Sequence, residues 1–276
     1  MLRRLNSLVK SSVRAADGDI GRVADAYFDD ERWAVRYLVV DTGMWLGWHV
    51  LIAPQSITAT DWNNNLIEVG LTRNQVEQSP RADLQHPLSR LYETEFYTHF
   101  GYPPYWDAPP AWGSAVAPVT MDTAMAAARA QAVAIEHVEG VGPSTGAGAD
   151  LPAAPASDDL PATEDPPVAS AADSRVRSWR EVKGYHISAS DGEIGHIDDL
   201  LFDDKSWLVR FIEVDTSNWI GGKSVLVPRS ALRDVSWPDR LLHVTLTRAQ
   251  VQNSPRTDEA HLTGALEQEL DDYYRS

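Results

Sequence analysis

The sequence predicts a mainly β protein: two copies of one small β-barrel, each followed by an amphipathic helix, joined by a largely disordered acidic Ala/Pro-rich linker. Three observations predict it. Residues 5–82 recur as 179–257. Within each copy, short runs rich in Val, Tyr and Trp alternate with turn residues, the pattern of brief strands in a closed sheet. Between the copies the apolar periodicity collapses into Ala, Pro, Gly and acid, which cannot bury enough surface to order itself.

The repeat is read residue by residue, as self-similarity at a fixed period should be. Asp17-Gly18-Asp19-Ile20-Gly21 returns as Asp191-Gly192-Glu193-Ile194-Gly195, and Phe28-Asp29-Asp30 as Phe202-Asp203-Asp204. Trp33-Ala34-Val35-Arg36 matches Trp207-Leu208-Val209-Arg210, and Val40-Asp41-Thr42 matches Val214-Asp215-Thr216. Leu71-Thr72-Arg73 with Gln75 and Val76 returns as Leu246-Thr247-Arg248 with Gln250 and Val251. The offset stays near 174 residues and slips by one near Trp62 and Trp237.

In chain order, Ile20 to Phe28 and Trp33 to Val40 are strands, with Asp29 to Arg32 as the hairpin between them. Val50 to Ile52, Ile57 to Thr60 and Leu66 to Leu71 supply further short strands, five or six in all. Thr72 with Gln75, and Thr247 with Gln250, carry the capping-box spacing that opens a helical turn. A second helix follows each barrel. Leu88, Tyr92, Phe96 and Phe100 fall four apart, as do Leu262, Leu266, Leu270 and Tyr274, so each helix has one apolar stripe for its own barrel, the sister barrel or an outside partner. The predicted domains are residues 1–106 and 175–276, with 107–174 as the flexible linker, in which Thr123 to Ile135 has the composition of a transient helix.

Composition narrows the chemistry. The chain has no cysteine, which removes disulfides, thiolate nucleophiles and Cys-held metals. Its net charge of -16 disfavours phosphate backbones and anionic lipid as partners. No apolar run reaches the length of a membrane span, so the expectation is a soluble, cytoplasmic protein without direct membrane insertion.

Gly18-Asp19-Ile20-Gly21-Arg22-Val23, Phe28-Asp29-Asp30, the run from Trp33 to Thr42, Trp45-Leu46-Gly47 and Leu71-Thr72-Arg73 with its Gln-Val and Ser-Pro followers resemble the PRC-barrel domain. That family takes its name from the photosynthetic reaction centre H subunit and also occurs in a ribosome-maturation factor. The resemblance spans both copies and implies a small, mostly antiparallel barrel used for docking or assembly, with no shared catalytic set. It leaves three functional expectations. The first is a non-enzymatic adaptor with a protein partner, its barrels paired within the chain or through a homo-oligomer. The others are a peripheral subunit of a membrane complex, and an enzyme with a site between the barrels using Asp41, Asp215 or His49.

No cofactor, metal or catalytic set is expected. Gly221-Gly222-Lys223-Ser224 ends like a phosphate-binding loop, but position 217 is Ser217 and a strand, Val225 to Val227, follows where that motif needs a helix. Asp29, Asp30, Asp203 and Asp204 read as hairpin acids that accept local backbone hydrogen bonds, and Asp41 and Asp215 as turn caps. The eight histidines show no metal-ligand spacing. Trp33 and Trp207 are expected to close the hairpins. The candidate interface residues are Trp45 and Trp219, in Gly-flanked loops, together with Tyr105, Trp106 and Trp112. Tyr102-Pro-Pro-Tyr-Trp106 either folds back on the first barrel or offers a docking peptide.

Overall fold

The computed structural model describes residues 1–84, 87–106, 175–216, 224–255 and 264–275. The linker, the expected helix within it, Trp112, Trp219, Gly221 to Lys223 and Leu262 lie outside the described residues.

The first copy runs β1 (Leu2–Arg4), α1 (Leu5–Leu8), β2 (Ser12–Ala15), β3 (Gly18–Asp29), β4 (Ala34–Asp41), β5 (His49–Ile52), a 3-10 turn (Pro54–Ser56), β6 (Ile57–Asp61), β7 (Leu66–Val69), α2 (Arg73–Glu77) and α3 (Arg90–Phe100). The second repeats it as β8 (Val176–Ser178), α4 (Trp179–Val182), β9 (His186–Ala189), β10 (Gly192–Asp203), β11 (Val209–Asp215), β12 (Ser224–Pro228), a 3-10 turn (Arg229–Ala231), β13 (Leu232–Ser236), β14 (Leu241–Val244), α5 (Arg248–Gln252) and α6 (Gly264–Arg275). The strand orders are the same, β5-β4-β3-β2-β7-β6 and β12-β11-β10-β9-β14-β13. Among the described residues only β2 with β7 and β9 with β14 run parallel. The hydrogen-bonded path ends at β5 and β6 rather than closing by a ladder; the Pro54–Ser56 turn carries the chain from one end strand to the other.

Two strands of each sheet were not among those named from the sequence: β2 or β9, and a seventh strand that belongs to the other copy. β1 pairs antiparallel with β10, and β8 pairs antiparallel with β3. The length of β3 explains the arrangement. Its first half is covered by β2, up to Arg22, and its last residues, Tyr27 to Asp29, would otherwise be a bare edge. The exchanged strand covers that edge.

Packing follows the same logic. The interiors of both copies form one continuous apolar cluster. At their junction Trp33 and Trp207, only 2% and 4% exposed, do more than close hairpins. Val35 N–H donates to the Trp207 carbonyl and Val209 N–H to the Trp33 carbonyl, at 2.9 and 2.7 Å. Both tryptophans sit at positive φ, 56° and 59°. A bulky residue there costs about 1–2 kcal/mol, which the burial of an indole offsets.

The apolar helix stripes pack on their own barrels. Phe96 and Tyr97 of α3 meet Tyr37 and Leu51, and Leu266 and Leu270 of α6 meet Phe211 and Leu226. The exchanged strands complete these outer clusters with Val176 and Leu2. Ser89 caps α3 and Gly101 ends it in the left-handed conformation. Both capping boxes form as their spacing requires.

Candidate functional site at the seam between the copies

The seam is built from acids of β3 and β10 facing the exchanged segments. Asp25 accepts hydrogen bonds from Ser178 Oγ (2.5 Å) and Arg180 N–H (3.2 Å), so it caps the first turn of α4 in the other copy. Asp199, its equivalent, accepts from Asn6 N–H (3.2 Å) at α1 and from Leu200 N–H. Farther along, Asp30 pairs with Arg177 at 2.9 Å, and Asp204 with Arg3 at 3.5 Å. Each arginine also lies over an indole, Arg177 over Trp237 at 4.5 Å and Arg3 over Trp62 at 4.9 Å. Guanidinium stacking and ion pairing thus act together on both sides of the seam.

The two sides are not equal. Ser178 gives Asp25 a hydroxyl donor, whereas the corresponding Arg4 turns to Glu213 at 2.6 Å. Asp199 Oδ2 is therefore buried without a hydrogen-bond partner among the described residues. Burial raises the Asp199 carboxyl to about 7; the Asn6 and Leu200 N–H groups oppose this, and the Glu213 charge adds to it. Burial raises Asp25 and Asp30 as well, against the hydrogen bonds each receives.

A cleft of about 450 Å³ opens beside Trp33 and Trp237. Asp30, Glu31 and Trp33 come from the first copy, and Arg175, Arg229, Arg233 and Trp237 from the second. Arg229 Nη2 donates to the Glu31 carbonyl across the cleft at 3.1 Å. Two of the acids there are engaged, Asp30 by Arg177 and Asp234 by Arg233 and His243. With Glu31, three acids line the cleft beside three arginines, so its lining is balanced in charge.

Of the candidate interface residues, Trp45 is half-buried beneath Arg73, whose guanidinium lies 4.2 Å from the ring centre. Neighbouring Trp48 stacks with Arg81 at 3.8 Å, and Met44 at the same loop tip is fully exposed. The Tyr102 to Trp106 segment folds back on the first barrel. Tyr105 O–H donates to Glu93 at 2.8 Å, Arg36 lies 3.9 Å from the Tyr105 ring centre, and Trp106 packs edge-on against Tyr97. Glu93 is wholly buried, takes a second hydrogen bond from Tyr37 and pairs with Arg90 at 3.0 Å. Burial raises its pKa above the usual carboxylate value. Trp112 and Trp219 lie outside the described residues.

The hairpin acids divide. Asp29 and Asp203 accept local N–H groups, from Arg32 and Ser206, as expected of turn acids, and Asp203 also takes the Met1 ammonium of the other copy at 3.2 Å. Asp30 and Asp204 reach across the seam to arginines, which the hairpin reading missed. Asp41 caps its turn by accepting from Gly43 N–H at 2.9 Å. His49 is exposed, and Asp215 lies 3.4 Å from His196 Nε2. Trp62 and Trp237 were visible as matched positions, but nothing local marks them as stacking partners of a distant arginine. Among the described residues no group of His, Asp and Glu is placed to hold a metal, and no helix is long and apolar enough to cross a membrane.

Comparison with known families finds a PRC-barrel domain over residues 175–250. That span covers β9 to β14 and the exchanged segment before them. Comparison with curated proteins finds no match.

Proposed function

We propose that the chain is a non-enzymatic adaptor built from a tandem pair of PRC-type barrels, which present one paired block to a protein partner. What carries this reading is the strand exchange, β1 onto β10 and β8 onto β3, over a continuous core. Such weaving turns two small modules into one rigid surface larger than either could offer. The seam carboxylates Asp25, Asp30 and Asp204 are each spent on a backbone N–H, a hydroxyl or a guanidinium, which suits architecture better than turnover.

The test begins with cross-linking of the full chain in its native cells, followed by reconstitution with the purified partner. Saturable binding should survive Asp41→Asn, Asp215→Asn and His49→Ala. A purified chain that turns over a substrate, and loses this when Asp41 or Asp215 is neutralised, would overturn the adaptor reading.

A further inference from the structure

One contact of the seam has no counterpart on its other side. Arg4 grips the Glu213 carboxylate with two hydrogen bonds, Nε to Oε2 at 2.6 Å and Nη2 to Oε1 at 2.9 Å. The two side chains are 20% and 5% exposed, so the pair is largely cut off from water. The strand registers put Ser178 at the place of Arg4 and Val39 at the place of Glu213. Glu213 is also the ladder partner of Asp199, so two acids stand side by side on β10 and β11. The other cations near them are engaged elsewhere: Lys183 with Asp198 at 3.4 Å, while Arg180 stands beside Asp25.

The exchanged segments, β1 with α1 and β8 with α4, repeat each other, so like copies offer the same main-chain ladder as unlike ones. Side chains separate the cases. Between two second copies, Ser178 and Arg180 would meet Asp199 as they now meet Asp25, but Glu213 would lie buried without its guanidinium. An uncompensated buried charge is far more unfavourable than the intact pair is favourable. Between two first copies, Arg4 would have Asp25 but would exchange its second acid for Val39. Stability alone does not account for the pair. Opposite Ser178, Asp25 has both oxygens hydrogen-bonded, whereas Asp199 Oδ2, beside the Arg4 pair, has no partner among the described residues. The serine-and-valine version of the seam is the better satisfied one, and the chain carries it on one side only.

We propose that the β10–β11 face of the second copy is a selective interaction surface fitted to a first copy, with Arg4 and Glu213 as its specificity-determining residues. The pair acts against the wrong association more than for the right one. It steers each chain to close by joining its unlike halves, and keeps chains from linking through two second copies. This goes beyond the adaptor reading and stands or falls without it.

The test uses the full chain with a specific protease site placed in the linker and cut only after folding. Parent and R4E/E213R proteins, one of them isotope-labelled, are cut, mixed in mild urea so that halves exchange, and weighed by native mass spectrometry. Matched halves should outnumber mismatched ones by at least about tenfold. Sorting is the readout because a merely structural pair would weaken every association alike. In R4S/E213V both sides of the seam carry Ser and Val, so pairs of two C-terminal halves should form, at least about tenfold more than in the parent. A statistical mixture of matched and mismatched halves, or as many C-terminal pairs in the parent as in R4S/E213V, would overturn the proposal. The uncut chain supplies a second measurement that needs no exchange of halves. Arg4→Glu should lower its urea midpoint and the added Glu213→Arg should restore it; a double variant no more stable than Arg4→Glu would overturn the proposal as well.

Discussion

Replacing Asp199 with Asn tests whether the asymmetry of the seam has energetic consequences. Asp199 is 1% exposed, and its Oδ2 has no hydrogen-bond partner among the described residues. Its folded pKa is raised from 3.8 to about 7. Between those values the folded chain holds a proton that the unfolded chain has released, so stability falls as pH rises through the interval. The contribution is complete below 3.8 and lost above about 7. At about 1.4 kcal/mol per unit, the interval corresponds to roughly 4 kcal/mol.

Asn keeps an oxygen to accept the Asn6 and Leu200 N–H groups and cannot ionise. Urea unfolding, followed by tryptophan fluorescence from about pH 5 to pH 8, should therefore show the parent chain losing about 3 kcal/mol more than Asp199→Asn. Asp25, Asp30 and Glu93, also raised, are common to both proteins and cancel in the difference. The double change R4S/E213V copies the residues that face Asp25, Ser178 and Val39, and should flatten the profile in the same direction. Parallel profiles for the parent and Asp199→Asn would refute the reasoning.

Four further outcomes are expected. Arg177→Ala should cost about 1–3 kcal/mol in urea unfolding, because it leaves a mostly buried Asp30 unpaired. Arg3→Ala should cost less, since its contact to Asp204 is longer; the reverse order would count against the seam as described. Gly195→Ala places a Cβ 2.0 Å from the Asp215 carbonyl oxygen and should cost about 3 kcal/mol or more, as should Gly21→Ala against Asp41; a near-neutral effect would show that the strands are farther apart. Leu270→Ala should cost about 2–5 kcal/mol and exposed Leu91→Ala less than about 0.5 kcal/mol, so equal losses would mean that α6 does not pack on its barrel. Polypeptides 1–106 and 175–276, expressed together without the linker, should co-purify in equal amounts, since β1 and β8 complete each other's sheets; two independent monomers by light scattering would contradict the exchange.

Local signals were legible and distant ones were not. Thr72 with Gln75 announced a cap because both partners lie within four residues, and the cap is there. The strands from Ile20 to Leu71 were marked by composition and by turn residues at their ends. β2 and β9, four residues each, were missed as well as β1 and β8, and for the last two there are two reasons. Three residues carry no periodicity, and the ladder partner of Leu2 is Asp203, far along the chain. The same distance hid the candidate site: Asp30 reads as a hairpin acid until Arg177 is placed opposite it. One usable signal was passed over. The repeat extends upstream to Leu2-Arg3 and Val176-Arg177, ahead of the first strand then recognised, and a repeated short apolar–basic pair there has to contact something equivalent in both copies.

Duplication separates what the fold requires from what a particular chain has added. Features present twice are explained by architecture: the cross-seam Asp–Arg pairs, the indoles beneath those arginines, the tryptophans at positive φ, the glycines against Asp41 and Asp215. Features present once need another cause. Arg4 with Glu213, the orphaned oxygen of Asp199, and the cluster of Arg175, Arg229 and Arg233 all belong to this second group. The first two are linked: turning Arg4 to Glu213 is what deprives Asp199 of the donor that Ser178 gives Asp25. The arginines of the cleft have partners within it: Arg233 pairs with Asp234 and Arg229 donates to the Glu31 carbonyl, and the opposite side of the seam, which lacks these arginines, has Ala59 and Lys205 at the positions of Asp234 and Glu31, so the cations and their partners change together.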